Sequence, residues 1–180
     1  METTGGTAAQ LFEIYRGAES GIDISAYNDL RLKSAQMRQI RYGEEWNKQH
    51  PDQKIDIFKY ANPDFSSLQM EIIRLGQQAG IDIDMYAFPY FDCNQMWEIY
   101  QGLLSGVNVK TYAVREFDHL QMQQIRLGLE TNKDVLVYLD PVKSAAEMEK
   151  IRLGLPELTG KKKKPLRERI KAAVDALKGR

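Results

Sequence analysis

The chain has 180 residues, 25 basic and 25 acidic, with 43% hydrophobic and 28% charged residues, which is ordinary for a globular protein. A single cysteine, Cys93, excludes an intramolecular disulfide and a cysteine metal cluster, and two histidines, His50 and His119, exclude a multi-histidine site. No apolar run approaches the roughly 20 residues of a membrane span, and Met1–Gly6 lacks the basic and apolar regions of a signal peptide.

A repeat organises the chain from its start. Gln10-Leu11, Gln36-Met37, Gln69-Met70, Gln95-Met96, Gln121-Met122 and Glu147-Met148 stand at spacings of 26, 33, 26, 26 and 26 residues. Four residues after each anchor comes Ile14, Ile40, Ile73, Ile99, Ile125 or Ile151, and seven after it Gly17, Gly43, Gly76, Gly102, Gly128 or Gly154. The second half of the unit repeats as well. Tyr27, Tyr60, Tyr86, Tyr112 and Tyr138 share a position, preceded at four residues by Asp23, Asp56, Asp82, Asn108 and Asp134. Pro63, Pro89 and Pro141 follow three residues after the tyrosine, and Phe65, Phe91 and Phe117 two residues beyond that.

Each unit reads as one helix of about three turns and a second short one. In the third unit Ser66 offers an N-cap oxygen, Met70, Ile73 and Gln77 fall on one helical face, and Gly80 suits the left-handed residue that ends a helix, as does Asn132 in the fifth. Asp82 is then placed to cap a short helix or 3₁₀ turn over Ile83–Tyr86. A glycine inside the first helix costs about 1 kcal/mol relative to alanine, so six of them imply close packing, expected here against the neighbouring unit. One such unit cannot bury its apolar face alone. The fold expected is therefore all-α: an α-solenoid of five and a half units over residues 1–157.

Two departures break the period. A seven-residue insertion lies within Glu44 to Lys54, carries Trp46 and His50, and is stopped by Pro51; it is expected to lengthen the second helix and protrude from the stack, as a tolerated surface elaboration or as a binding knob. After Leu155-Pro156 the repeat ends. Residues 158–180 begin with Lys161, Lys162, Lys163 and Lys164 and continue as an amphipathic helix over 165–178, with Leu166, Ile170, Ala173, Val174 and Leu177 in one stripe, read as the cap of the stack.

Charge is unevenly spread. Residues 1–157 hold 23 acids and 16 bases, whereas residues 158–180 hold 2 acids and 9 bases. From Leu75 to Val109 there is no lysine or arginine, while Asp82, Asp84, Asp92 and Glu98 fall in that window and make an expected acidic patch. Arg41, Arg74, Arg126 and Arg152 follow the repeated isoleucine and are expected to pair with the repeated aspartates; the other two units have Tyr15 and Tyr100 there. No catalytic constellation emerges: Cys93 has no histidine close in sequence, and Asp82 with Asp84 is too few ligands for a cation.

The unit Gln-Met-x-x-Ile-Arg-x-Gly-x-x-x-Gly-x-Asp-x-x-x-Tyr-Ala-x-Pro-x-Phe, carried best by residues 69–91, resembles a helical repeat family of phages, plasmids and conjugative elements of gut Firmicutes. The resemblance covers residues 8–155 and is specific for the repeat, not for an activity. It implies an accessory role on a mobile element. The size and acidic body are also similar to those of small phage inhibitors of host defence, anti-CRISPR proteins among them. This implies a non-enzymatic inhibitor, without cofactor, acting in the bacterial cytoplasm on a protein partner such as an RNA-guided nuclease. The expected contact residues are Asp82, Asp84, Asp92 and Glu98, with Trp46 and His50 of the insertion. Two alternatives stand beside it: an interaction scaffold of the mobile element, and a nucleic-acid binder using Lys161–Lys164, Arg167 and Arg169.

Overall fold

The computed structural model describes residues 5–154, which form six α-helices and four 3₁₀ turns with no strand among them. The helices are α1 (Ala8–Glu19), α2 (Ser34–Gln49), α3 (Ser67–Gln78), α4 (Cys93–Leu104), α5 (His119–Glu130) and α6 (Ala145–Leu153). The turns are Ile57–Lys59, Ile83–Met85, Val109–Thr111 and Val135–Val137, one after each of α2 to α5. The all-α repeat architecture is therefore as the sequence implies. The expected cap over 165–178, with Lys161–Lys164, Arg167 and Arg169, lies outside the described residues.

Five of the six helices start on a reciprocal cap. The Ser66 hydroxyl accepts from the Gln69 N–H, and the Gln69 side-chain oxygen accepts from the Ser66 N–H at 2.6 Å. Asp92 and Asp118 do the same for α4 and α5. At α2 the cap residue is Lys33, whose side chain has no acceptor, and only the returning half from Gln36 is made. Helices α1, α3, α4 and α5 end on left-handed residues, Gly21, Gly80, Gly106 and Asn132. The N–H of the next residue turns back onto the repeated glycine, as from Ile81 to the Gly76 carbonyl at 2.9 Å. Gly154 departs from the series. It does not lie inside a helix but ends α6 with φ of 67°.

The repeated glutamine does a second job. Its amide N–H donors cross to the carbonyls just before the following helix. Gln10 reaches Leu30 and Leu32, Gln36 reaches Pro63 and Phe65, Gln69 reaches Pro89 and Phe91, and Gln95 reaches Phe117. Because the start of one helix is thus tied to the start of the next, consecutive helices run side by side in the same direction. The chain returns beneath them through the 3₁₀ turn. Helices form one layer, the turns another, and the core lies between.

That core is the repeat itself. Met37, Met70, Met96, Met122, Ile40, Ile73, Ile99 and Ile125 are fully buried, as are Tyr27, Tyr60, Tyr86 and Tyr112. Burying each such side chain contributes about 1.5–3 kcal/mol. The glycine inside the helix is explained by the tyrosine below it. A Cβ at Gly76 would overlap the Tyr86 hydroxyl, and the same holds at Gly43, Gly102 and Gly128. The close approach expected against the neighbouring unit is therefore made within one unit. The tyrosine uses it to donate to a helix carbonyl, Tyr86 to Ile72 at 3.3 Å and Tyr112 to Glu98 at 3.0 Å.

The insertion lengthens α2 to 16 residues and then turns back onto the stack. Asn47 brackets the backbone of Ile55, donating to its carbonyl and accepting from its N–H. Lys48 reaches the Ser20 carbonyl at the end of α1. The second helix is thus lengthened as expected, and the return of the insertion is clamped to the stack by these bonds.

Candidate functional site

The six residues expected to meet a partner do not form one surface. Trp46 and His50 stack on each other, ring centroids 3.7 Å apart and 15° from parallel. The Trp46 indole N–H donates to the Gln53 carbonyl, so both rings are half-buried against the return of the insertion. Asp82 caps its 3₁₀ turn by accepting from the Asp84 N–H, and the exposed Asp84 carboxylate meets Lys59 at 3.1 Å. They border a shallow groove with Lys54, Asp56 and Lys59, which is mixed in charge rather than acidic. Asp92 lies at the opposite end of its unit's helix, accepting the N–H groups of Asn94 and Gln95.

Glu98 is not at the surface. It is 6% exposed and joined to Arg126 at 2.9 Å. Its place in the repeat is occupied by buried groups elsewhere too: Glu13, Ile72 and Gln124. The arginines correspondingly do not pair with the repeated aspartates, which cap the turns. Arg41 joins Glu13 of the preceding unit and Glu45 of its own. Arg74 joins Gln39 and Gln78 in the same manner, and Arg126 joins Glu98 and Glu130. Burial opposes the Arg126 charge, yet its hydrogen bonds to Glu130 and Glu98 outweigh that and move its pKa up. Between the third and fourth units the three positions are Ile72, Tyr100 and Leu104, none of them charged. Reading those three columns down the units would have exposed this pairing in the sequence.

With the charged positions assigned to packing, the exposed aromatics stand out. The loops that enter the helices share one edge of the stack, held there by the glutamine bridges. On this edge Phe88 and Tyr90 are 40% and 48% exposed and stack on one another at 5.1 Å. Arg115 of the following loop lies over the Tyr90 ring at 5.2 Å, so the two loops adjoin. Val114 in the next loop, and Leu68 and Leu120 in the first turns of α3 and α5, are exposed too. Trp97 and Tyr100 pack together on α4, with Trp97 43% exposed. None of these loop residues was singled out by motif; the signal was the column itself, where Phe88 and Val114 replace Asp29, Asn62 and Asp140.

Among the described residues no group of three histidine, cysteine, aspartate or glutamate side chains is placed to hold a metal ion. No helix among them is long and apolar enough to cross a membrane. Cys93 is half-buried at the first turn of α4. No family model, curated protein or solved structure matches the chain.

Proposed function

We propose that the chain is a non-enzymatic protein-binding module that seats a partner protein on the loop edge of its third and fourth units. The observation that carries this reading is the pair Phe88 and Tyr90, stacked, exposed and held on a rigid frame. Aromatic side chains so placed supply most of the energy in many protein interfaces, at little entropic cost once their loop is fixed. The repeat supports it further, because parallel helices tied at their starts present the loops as one continuous surface.

The narrower role implied by the resemblance, antagonism of an RNA-guided nuclease, is the form of this reading to assay first. Its contact surface is then the aromatic edge rather than a patch of Asp82, Asp84, Asp92 and Glu98, since Glu98 is engaged with Arg126 inside the stack. The experiment is DNA cleavage by a guide-loaded nuclease with and without the protein, beside a gel shift on DNA alone. Inhibition that Tyr90→Ser loses, with no DNA shift, supports the reading. Inhibition that survives Tyr90→Ser removes the edge from the mechanism. A salt-sensitive DNA shift points instead to nucleic-acid binding through Lys161–Lys164.

A further inference from the structure

We infer that the occupant of this edge is a segment of another protein that carries lysine or arginine beside apolar anchors. The inference rests on the protein-binding reading above and adds the chemistry of the partner.

The first support is a local rule that the third and fourth units break. Asp29, Asn62 and Asp140 each accept, through the side-chain oxygen, from the backbone N–H two residues on: Arg31, Asp64 and Val142. These bonds fix the turn before the helix. Phe88 and Val114 occupy the same position, cannot accept, and leave apolar surface 40% and 39% exposed. A residue that surrenders a turn bond without gaining burial serves something outside the chain.

The second support is charge. The three loops around these residues carry Asp64, Asp92, Glu116 and Asp118 against one base, Arg115. That base is already over the Tyr90 ring. No lysine or arginine occurs from Leu75 to Val109. Exposed aromatic surface on an edge with an excess of carboxylates favours a cation twice, through the ring quadrupole of Phe88 and through the net charge of the loops. The Arg115–Tyr90 contact shows that a ring of this edge holds a guanidinium.

The test uses the full chain and three labelled synthetic peptides of equal length, alternating leucine with arginine, glutamine or glutamate. The leucine–arginine peptide is expected to bind, with affinity reduced about tenfold or more by Phe88→Asn with Val114→Asn. That variant restores the turn residue seen at Asn62, so its thermal midpoint should equal or exceed that of the parent. Asp64→Asn with Glu116→Gln leaves the rings in place and should weaken the same peptide with no change in melting. Binding of the glutamine or glutamate peptide as tightly, still lost in Phe88→Asn with Val114→Asn, overturns the charge inference and leaves the protein-binding reading standing. Binding of none of the three overturns both. A peptide of residues 158–180 that displaces the leucine–arginine peptide would make this chain's own basic segment the occupant and overturn the assignment to another protein.

Discussion

Arg41 donates from Nε to the Glu13 carboxylate of the preceding unit, 3.0 Å away, and both side chains are almost fully buried. The pair joins residues 28 apart and recurs as Arg126 with Glu98. Where Arg74 faces Gln39, the residue four further along is glutamine too, Gln78, whereas Arg152 faces Gln124 with Pro156 four further along. Where the facing residue is Ile72, the arginine is replaced by Tyr100 and the fourth residue by Leu104. The first four seams between helices are thus acidic, amide, apolar and acidic in turn, each matched within itself.

A matched seam should break when one member changes and recover when all three do. Arg41→Tyr leaves the buried Glu13 with the half-exposed Arg38, 2.8 Å away, as its one remaining cation, so the loss should be smaller than the about 3–5 kcal/mol that follows when a buried charge loses its whole partner. Adding Glu13→Ile and Glu45→Leu recreates the seam of Ile72, Tyr100 and Leu104, and should restore most of the loss in urea unfolding. A triple variant no more stable than Arg41→Tyr alone would show that the seams are not interchangeable.

Gly76 should be intolerant of a change that helices ordinarily favour. Alanine gains about 1 kcal/mol over glycine in a helix interior. Here its Cβ would overlap the Tyr86 hydroxyl and meet the Ile83 side chain at 3.1 Å. Overpacking of this kind costs about 1–3 kcal/mol, so Gly76→Ala should destabilise on balance. Tyr86→Phe removes the overlapping oxygen but also the hydrogen bond to Ile72. Combining the two should cost less than the sum of the single effects, and a thermal double-mutant cycle that is simply additive would refute the contact.

Much of this was legible in the sequence, because it depends on neighbours along the chain. The cap at Ser66, the left-handed Gly80 and Asn132, and the 3₁₀ turn after Asp82 each involve residues a few positions apart, where spacing determines geometry. The buried methionines, isoleucines and tyrosines follow from the period. What failed was pairing across units. The aspartates offered the nearest charges to the arginine ladder, but they are consumed as caps of the turns. The true partners sit in columns that vary from unit to unit, so they do not read as part of the repeat. Glu98 looked exposed because it is charged; only its arginine, 28 residues on, makes its burial possible. Phe88 and Tyr90 belong to no motif, and their meaning comes from the turn bond that the other units keep.

The buried tyrosines should make the fold sensitive to alkali. Burial is the main cause that pushes the Tyr27 hydroxyl up to about 12, and it raises Tyr60, Tyr86, Tyr112 and Tyr138 as well. In the unfolded chain tyrosine ionises near pH 10. Stability is therefore fully present below pH 10 and is lost as pH rises through the folded values. Each tyrosine ionised only in the unfolded chain removes about 1.4 kcal/mol per pH unit. The tyrosinate absorbance of these five should rise only together with the loss of helical circular dichroism above pH 10, apart from the contribution of exposed tyrosines such as Tyr15 and Tyr90. Five buried tyrosines titrating near 10 with the helices intact would contradict their packing.

The glutamine bridges set the order of the helices, and their chemistry gives the sharpest test. Gln69 needs both halves of its amide. The oxygen accepts from the Ser66 N–H, and the nitrogen donates to Pro89 and Phe91 at 3.3 and 2.6 Å. Glutamate keeps the first function and loses the second, placing a carboxylate against two carbonyls. Gln69→Glu should therefore cost about 2–3 kcal/mol, from unmet carbonyls and repulsion, while leaving the cap of α3 formed. At the sixth unit the residue is already Glu147, which caps α6 through Ser144 and has no amide to donate. Glu147→Gln should accordingly change stability far less than Gln69→Glu does. Hydrogen exchange locates the effect: in Gln69→Glu protection should fall first at the loop of Phe88–Phe91 and the start of α4, with the α3 cap still slow. If protection falls instead at α3 alone, the amide bridge does not hold neighbouring units together.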